Sequence, residues 1–301
     1  MQKEALRLAG EPEIMLPTSL AAARRLKRRL GEDGCYGAGT TLLRTQWESR
    51  MRHVPRCLIS LQAIPELSGI RRTEDGGLEI GAMTTLGLCR ADPEVRSLSG
   101  LLVEAIGSIA APAVRNLATL GGNLCSLTGD VLPALLALEA ELTVDRDSGP
   151  VRIGLRQWLA EAAEREAEEI LCGIHLPPAS MGVSLESAGT TSICRYVKLG
   201  RRAAFTPSLV TVALAGRMRL EDGAILGARL ALGGGTARPH RLPTAERLLE
   251  GRVLDARVVA QVGDAVRTHY AAATDRYADA GYRREAAANL AMAQLWSLIR
   301  R

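Results

Sequence analysis

The stretch Val114-Arg115-Asn116-Leu117-Ala118-Thr119-Leu120-Gly121-Gly122-Asn123 decides how the rest of the chain is read. Two adjacent glycines let a main chain come close to a ligand, because no Cβ stands in the way. Thr119 and Asn123, on either side, carry short polar groups that can bond a phosphate, a ribose or the polar edge of a ring. Far upstream, Cys35-Tyr36-Gly37-Ala38-Gly39-Thr40-Thr41-Leu42-Leu43 runs from an apolar strand into a second glycine-bearing turn. There, main-chain N–H groups can converge on an anion. This turn lacks the Lys-Ser/Thr of a P-loop and the third glycine of the dinucleotide fingerprint, so it is neither. Taken singly it reads equally well as a plain tight turn. One such loop in each of two lobes suits an elongated ligand lying in the cleft between them.

Working outward, the chain opens with a strand or extended arm. Leu20, Ala23, Leu26 and Leu30 then recur at helical spacing, with Thr18 as the expected cap and Gly31 as the stop. A strand over 57–61 completes a first lobe, 1–65. A second lobe, 66–180, begins with the strand-like 78–82. It continues through a helix over 95–106 and the segment starting at Asp130, whose acid and early Pro133 suit a helix N-terminus. Strands over 141–144, 151–155 and 170–176 finish it, and the acidic run 161–169 reads as a solvated helix face. Pro177-Pro178 and the Gly/Ser-containing run to Gly189 read as a hinge, which places a boundary near 180. In 181–301, segments 208–215, 217–220 and 228–232 around the turn Glu221-Asp222-Gly223 read as an antiparallel meander. Helical stretches over 244–249, 255–273 and 282–299 follow.

Composition narrows the classes. A chain of 301 residues with 47% hydrophobic content buries a sizeable core, in roughly two domains. No apolar run approaches the ~20 residues that cross a bilayer, and the N-terminus has no secretory pattern, so a cytoplasmic location is expected. The six cysteines are scattered without any CxxC pair, which argues against local iron–sulfur or zinc ligation and against disulfides. His53, His175, His240 and His269 stand alone, and metal binding by them is not expected. The net charge of +5 comes from interspersed signs with few aromatics, a pattern unlike a nucleic-acid surface. Lysine occurs only at positions 3, 27 and 198, which makes Lys198 chemically distinctive. Arg115 reads as a structural residue holding the glycine loop through an ion pair.

The strongest likeness lies in 109–123, where Val114 to Asn123 resembles, almost residue for residue, the second FAD loop of the FAD-binding medium subunits of molybdenum hydroxylases, the xanthine dehydrogenase and aerobic carbon monoxide dehydrogenase family. Gly37 to Leu43 resembles the first loop, and Asp130-Val131-Leu132-Pro133-Ala134-Leu135-Leu136-Ala137-Leu138-Glu139-Ala140 is similar to the helix after the second. Arg195-Tyr196-Val197-Lys198-Leu199-Gly200-Arg201-Arg202, Gly233-Gly234-Gly235 with Pro239, and Ala280-Gly281-Tyr282-Arg283-Arg284 extend the likeness through nearly the whole chain. The resemblance implies an α+β chain: a two-lobed FAD-binding domain of the vanillyl-alcohol-oxidase type, then a small antiparallel-sheet and helical-bundle domain. It also implies roles. Tyr36, Gly37, Ala38, Gly39, Thr40, Thr41 and Leu42 would hold the FAD diphosphate, with Thr119, Gly122, Asn123 and Ser126 holding its diphosphate and ribityl region. Asp130 would support the loop or the ribityl chain, Ala110 would line the cleft, and Leu171 and Lys198 would lie near the flavin ring or adenine.

The chain departs from the family pattern in two places. Ala38 stands where glycine is usual, and Thr41 where an acid is common. The segment from Asn123 to Asp130 is short and lacks the usual Ser-Pro. It also has no cysteine-rich insertion for an extra cluster. The implied activity is oxidoreductase electron transfer, with non-covalent FAD taking electrons from an iron–sulfur small subunit and passing them to NAD+ or another acceptor. The molybdopterin would sit on a large subunit. No residue of this chain is assigned as catalytic. A self-contained FAD oxidase or dehydrogenase is the alternative within enzymes, although no base stands beside the loops for proton abstraction. A non-catalytic nucleotide-binding scaffold is the alternative outside them.

Overall fold

A computed structural model of the chain describes residues 12–178, 189–202 and 206–299. The expected boundary near 180, with most of the hinge, falls on 179–188 and lies outside the described residues.

In the first lobe, β1 (Glu13–Met15), β2 (Gly34–Gly37) and β3 (Cys57–Ser60) form a parallel sheet with β3 in the centre. The helix α1 (Leu20–Leu30) lays Leu20, Ala23, Leu26 and Leu30 against a small core of Ile59, Leu61, Ile64 and Leu67. Its cap is Ser19 rather than Thr18: the Ser19 hydroxyl accepts a hydrogen bond from the Ala22 N–H at 3.3 Å. Both residue types cap well, and the extended backbone at 19 settles which hydroxyl reaches the turn. Gly31, at φ 55, ends the helix as expected. The helix α2 (Thr41–Glu48), which the sequence pattern does not announce, begins directly after the first glycine turn.

The second lobe is a five-stranded antiparallel sheet, with helices between its strands. It comprises β4 (Ile70–Arg72), β5 (Leu78–Gly81), β6 (Glu141–Arg146), β7 (Gly149–Gly154) and β8 (Ile170–Leu176), in the order β4-β5-β8-β6-β7. Six short helices stand between β5 and β6: α3 (Leu86–Ala91), α4 (Pro93–Leu98), α5 (Gly100–Gly107), α6 (Pro112–Arg115), α7 (Leu120–Cys125) and α8 (Leu132–Ala137). A seventh, α9 (Leu155–Ala160), follows β7. The single helix expected over 95–106 breaks at Ser99, where φ −140 and ψ 66 leave helical space. The acidic run is not a helix face either. Only Glu161–Ala163 forms a 3-10 turn, and Glu169 turns inward to accept hydrogen bonds from Arg146 Nε at 2.7 Å and Trp158 Nε1 at 2.9 Å.

The C-terminal part is a four-stranded antiparallel sheet of β9 (Thr190–Gly200), β10 (Ser208–Arg219), β11 (Ile225–Gly234) and β12 (Ala237–Arg241), ordered β12-β11-β10-β9. The expected meander is present with β9 added, and β10 runs unbroken through a register shift at Gly216. Val210, Val212 and Leu214 face the helices α10 (Pro243–Leu249), α11 (Ala256–His269) and α12 (Ala280–Ile299). The alternate residues Ala213 and Ala215, with Ala231, join the core of the second lobe instead. Burial on both faces explains why 208–215 is apolar without alternation. Small side chains let α8 lie close on the sheet: a Cβ at Gly233 would stand 2.9 Å from Pro133 Cγ.

Candidate functional site

The two glycine loops meet. A Cβ added at Gly39 would stand 1.8 Å from the Leu117 carbonyl oxygen and 3.0 Å from Ala118 Cα, so glycine is required for the contact between the lobes. On the other side of the junction, the space above Gly122 opens toward Ala38, whose Cβ would lie 3.8 Å from a Cβ on Gly122. This is ordinary van der Waals contact, so the Ala38 methyl does not crowd Gly122. Tyr36 adds a tie between the lobes, its phenol donating to the Glu168 carbonyl at 3.1 Å. Burial pushes that phenol's pKa well up, so it remains a neutral donor.

The loops differ in what they offer a ligand. Thr40 sits in the left-handed region at φ 52 and caps α2 without a side-chain bond. Among the described residues, no acceptor meets the main-chain N–H groups of Gly39, Thr40, Thr41 or Leu42. An anion can therefore take them. At α7 all four leading N–H groups are already bonded: Leu120 to Thr84 O at 2.9 Å, Gly121 to Ala82 O at 2.8 Å, Gly122 to Thr119 Oγ1 at 3.0 Å and Asn123 to Thr119 O at 3.1 Å. Thr119 is thus an N-cap, buried to 3% exposure. Gly121 packs on the second lobe's own sheet, where a Cβ would stand 2.7 Å from Ala82 O.

The short segment after the loop closes tightly. Asn123 Oδ1 accepts from Val131 N at 3.2 Å, Ser126 Oγ donates to Asn123 O at 2.6 Å, and a Cβ at Gly129 would stand 2.1 Å from Asn123 Oδ1. Leu127 takes φ 60 to make the turn. Among the described residues no acceptor meets the Asn123 amide NH2, which is open to a ligand.

Asp130 does not cap α8, whose N-cap is Val131 without a side-chain bond. Its carboxylate instead accepts from Lys198 Nζ at 2.7 Å and from Ser208 Oγ at 2.6 Å, and its carbonyl accepts from the Tyr196 phenol at 2.8 Å. Lys198 also donates to Ser108 O at 3.2 Å, leaving one ammonium proton for another acceptor. Asp130 therefore joins β9 and β10 to the second lobe, with both ends of the ion pair largely buried. Burial, with Asp130 as a lesser cause, drives the Tyr196 phenol's pKa well up. Ser108, Tyr196 and Ser208 are the residues that sequence reasoning missed, and no local pattern marks partners 66 to 90 positions away.

Ala110 is partly exposed beside Ser108 and adopts φ 42. Arg115 holds it, but not through the expected ion pair: its guanidinium donates to the carbonyls of Ile109 at 2.7 Å and Ala110 at 2.6 Å. Desolvation, with nearby Arg90 second, lowers the pKa of this arginine. Leu171 is buried in the same core as Leu120 and Leu124 of the second loop. Its side chain packs in the second lobe's core, while its neighbours Ile170 and Cys172 face the first lobe. Burial pushes the thiols of Cys89 and Cys172 up to about 12, which makes both poor nucleophiles and poor ligands at neutral pH. His175 lies buried between Glu79 and Asp75, at 3.4 Å and 3.8 Å. Among the described residues no helix is long and apolar enough to cross a membrane.

Residues 10–179 match the family model described as the FAD binding domain in molybdopterin dehydrogenase, and residues 195–297 match the CO dehydrogenase flavoprotein C-terminal domain. The carbon monoxide dehydrogenase medium chain of Hydrogenophaga pseudoflava is 29% identical over 275 residues, covering 90% of this chain and 91% of its own length. The xanthine dehydrogenase FAD-binding subunit of Escherichia coli O157:H7 is 28% identical over 221 residues, covering 72% and 71%. The nicotinate dehydrogenase FAD-subunit of Eubacterium barkeri is 26% identical over 255 residues, covering 80% of each. Among solved structures, carbon monoxide dehydrogenase from Hydrogenophaga pseudoflava superposes with a TM-score of 0.84 at 27% identity, covering 97% of this chain and 99% of that one.

Proposed function

The chain belongs to the FAD-binding family of molybdopterin dehydrogenases, and from that premise we propose that it carries FAD across its glycine-loop junction as the electron-transfer subunit of a molybdenum hydroxylase complex. The observation that carries this reading is the contact of Gly39 with Leu117 and Ala118, which sets four open N–H groups of the first loop beside the second loop.

When bound, FAD supplies the redox chemistry, accepting electrons from a one-electron donor and delivering them to an acceptor. The protein's part is to bind and orient. The N–H groups of Gly39, Thr40, Thr41 and Leu42, at the start of α2, hold the diphosphate, where the partial positive charge of the helix end adds to the hydrogen bonds. Tyr36, Gly37 and Ala38 shape the approach to that cradle. Gly122 leaves room for the cofactor, and Asn123 offers its NH2 group. Ser126 acts through the loop, its hydroxyl donating to Asn123 O, while Thr119 accepts from Gly122 N and keeps its hydroxyl proton to donate. Asp130 supports the loop through Val131 and anchors Lys198, whose remaining proton is available to the cofactor. Ala110 lines the cleft. A role for Leu171 is confined to its main chain.

Electrons arrive from an iron–sulfur small subunit of the same complex, whose large subunit carries molybdopterin, and leave to NAD+ or another acceptor. The test is an absorption spectrum of the protein reconstituted with FAD, followed by anaerobic addition of NADH. Stoichiometric flavin bands that bleach with NADH are expected for an NAD-linked subunit. Flavin bands that bleach only with a reduced iron–sulfur partner point to another acceptor, and no flavin uptake overturns the reading.

A further inference from the structure

A left-handed alanine held by a buried arginine is an unusual arrangement, and it stands in the segment that runs into the second glycine loop. Ala110 takes φ 42 in the turn between α5 and α6, a conformation that a residue with a Cβ keeps only when its surroundings over-determine it. The determinant is Arg115, 9% exposed, whose Nη1 donates to the carbonyls of both Ile109 and Ala110. Its guanidinium donates to these carbonyls, and among the described residues no carboxylate pairs with it, so main-chain dipoles compensate its charge. A trans peptide directs its N–H opposite to its C=O. With both carbonyls drawn toward Arg115, the N–H groups of Ala110 and Ala111 face away from it, and neither meets an acceptor among the described residues. Ser108, whose carbonyl accepts from Lys198, is two residues upstream, which places this turn next to the Asp130–Lys198 pair.

We propose that Arg115 is a positioning residue for FAD: it locks Ala110 in the left-handed conformation and so presents the Ala110 and Ala111 N–H groups as a pair of donors to the electron-rich edge of the flavin. This rests on the junction being the FAD site. Arg115 touches no cofactor atom itself. Its positive charge behind the two peptides polarises them in the direction that favours negative charge gained on flavin reduction.

The experiment compares four variants, Arg115→Met, Arg115→Lys, Ala110→Val and the double variant Arg115→Met with Ala110→Gly. FAD affinity by fluorescence titration, the midpoint potential of the bound flavin and far-ultraviolet circular dichroism are measured on each. Arg115→Met is expected to weaken FAD by about tenfold or more and to lower the midpoint potential, with Arg115→Lys intermediate. Ala110→Val keeps Arg115 but makes the left-handed conformation prohibitive, and is expected to weaken FAD similarly. The double variant is expected to recover affinity, because glycine takes positive φ without strain. A merely structural Arg115 would show no such rescue and no change of potential. Folded Arg115→Met and Ala110→Val proteins with wild-type affinity and potential overturn the inference. So does loss of affinity in Arg115→Met that glycine at 110 fails to restore. If Arg115→Met does not fold, Ala110→Val decides by the same criteria. A wild-type chain that takes up no FAD overturns the site reading, and this inference with it, whereas wild-type uptake with unaffected variants overturns this inference alone.

Discussion

Replacing Gly39 by alanine tests the junction with a single methyl group. That methyl would stand 1.8 Å from Leu117 O and 3.0 Å from Ala118 Cα, both main-chain atoms, so no rotamer change relieves it. The two loops must part by more than an ångström. Forced overpacking of this kind costs about 1–3 kcal/mol. If the strain is relieved in the free protein and reimposed when the cofactor draws the loops together, FAD binding weakens by about 5- to 150-fold. Titrating FAD into the apoprotein and following flavin fluorescence reads this directly, with thermal melts of apo and loaded protein reporting how the strain is shared. Gly100, at the start of α5, is the control: a Cβ there meets nothing within 4 Å. Gly100→Ala is expected to be neutral or to stabilise by about 0.4–1 kcal/mol. A Gly39→Ala protein with wild-type FAD affinity and melting temperature would refute the reasoning, because the loops would then not touch as described.

Lys198→Met leaves Asp130 without its cation and is expected to destabilise by about 3 kcal/mol. Asp130→Asn in the same background should restore part of the loss; urea unfolding of the two single variants and the double gives the coupling, and strict additivity would disprove the pair. Ser19→Ala should cost about 1 kcal/mol through loss of the α1 cap while Thr18→Ala costs little, and the reverse order in urea melts would return the cap to Thr18. Burial alone would raise the pKa of Glu139, but hydrogen bonds and charge from Arg229 and Arg241 override it and hold the carboxyl below its ordinary value. A group depressed in the folded state adds stability above its unfolded value of about 4.3, and that stability is lost as pH falls through the folded value. Wild type should therefore lose stability relative to Glu139→Gln on acidification below that point. Parallel pH profiles for the two proteins would contradict this.

The elements legible in the sequence are those whose stabilising contacts are local. The strands at 57–61 and 170–176, the stop at Gly31 and the helical stretches after 243 carry their period and their punctuation within a few residues. The cap of α1 came out one residue late because Thr18 and Ser19 are chemically equivalent and only the backbone direction distinguishes them. The helix expected over 95–106 has continuous helical periodicity but contains Ser99-Gly100, where the chain leaves helical space. Asp130 illustrates the deeper limit. An acid followed by Val-Leu-Pro looks like the start of a helix, yet its carboxylate is claimed by Lys198 and Ser208, 68 and 78 residues away, and no spacing rule encodes that. The glycine loops were legible as close-approach points, but part of what they approach is each other and the sheet below.

The four bonded N–H groups at the start of α7 have a consequence for how the cofactor is loaded. A helix end whose donors are all engaged gains little from a phosphate, so the second loop is complete before any ligand arrives. The attraction for negative charge is concentrated at the first loop. Inorganic pyrophosphate, which carries the charge of FAD without its rings, should compete for loading through that lobe alone, and adenosine or riboflavin, which lack the diphosphate, should be poor competitors even where their rings fit.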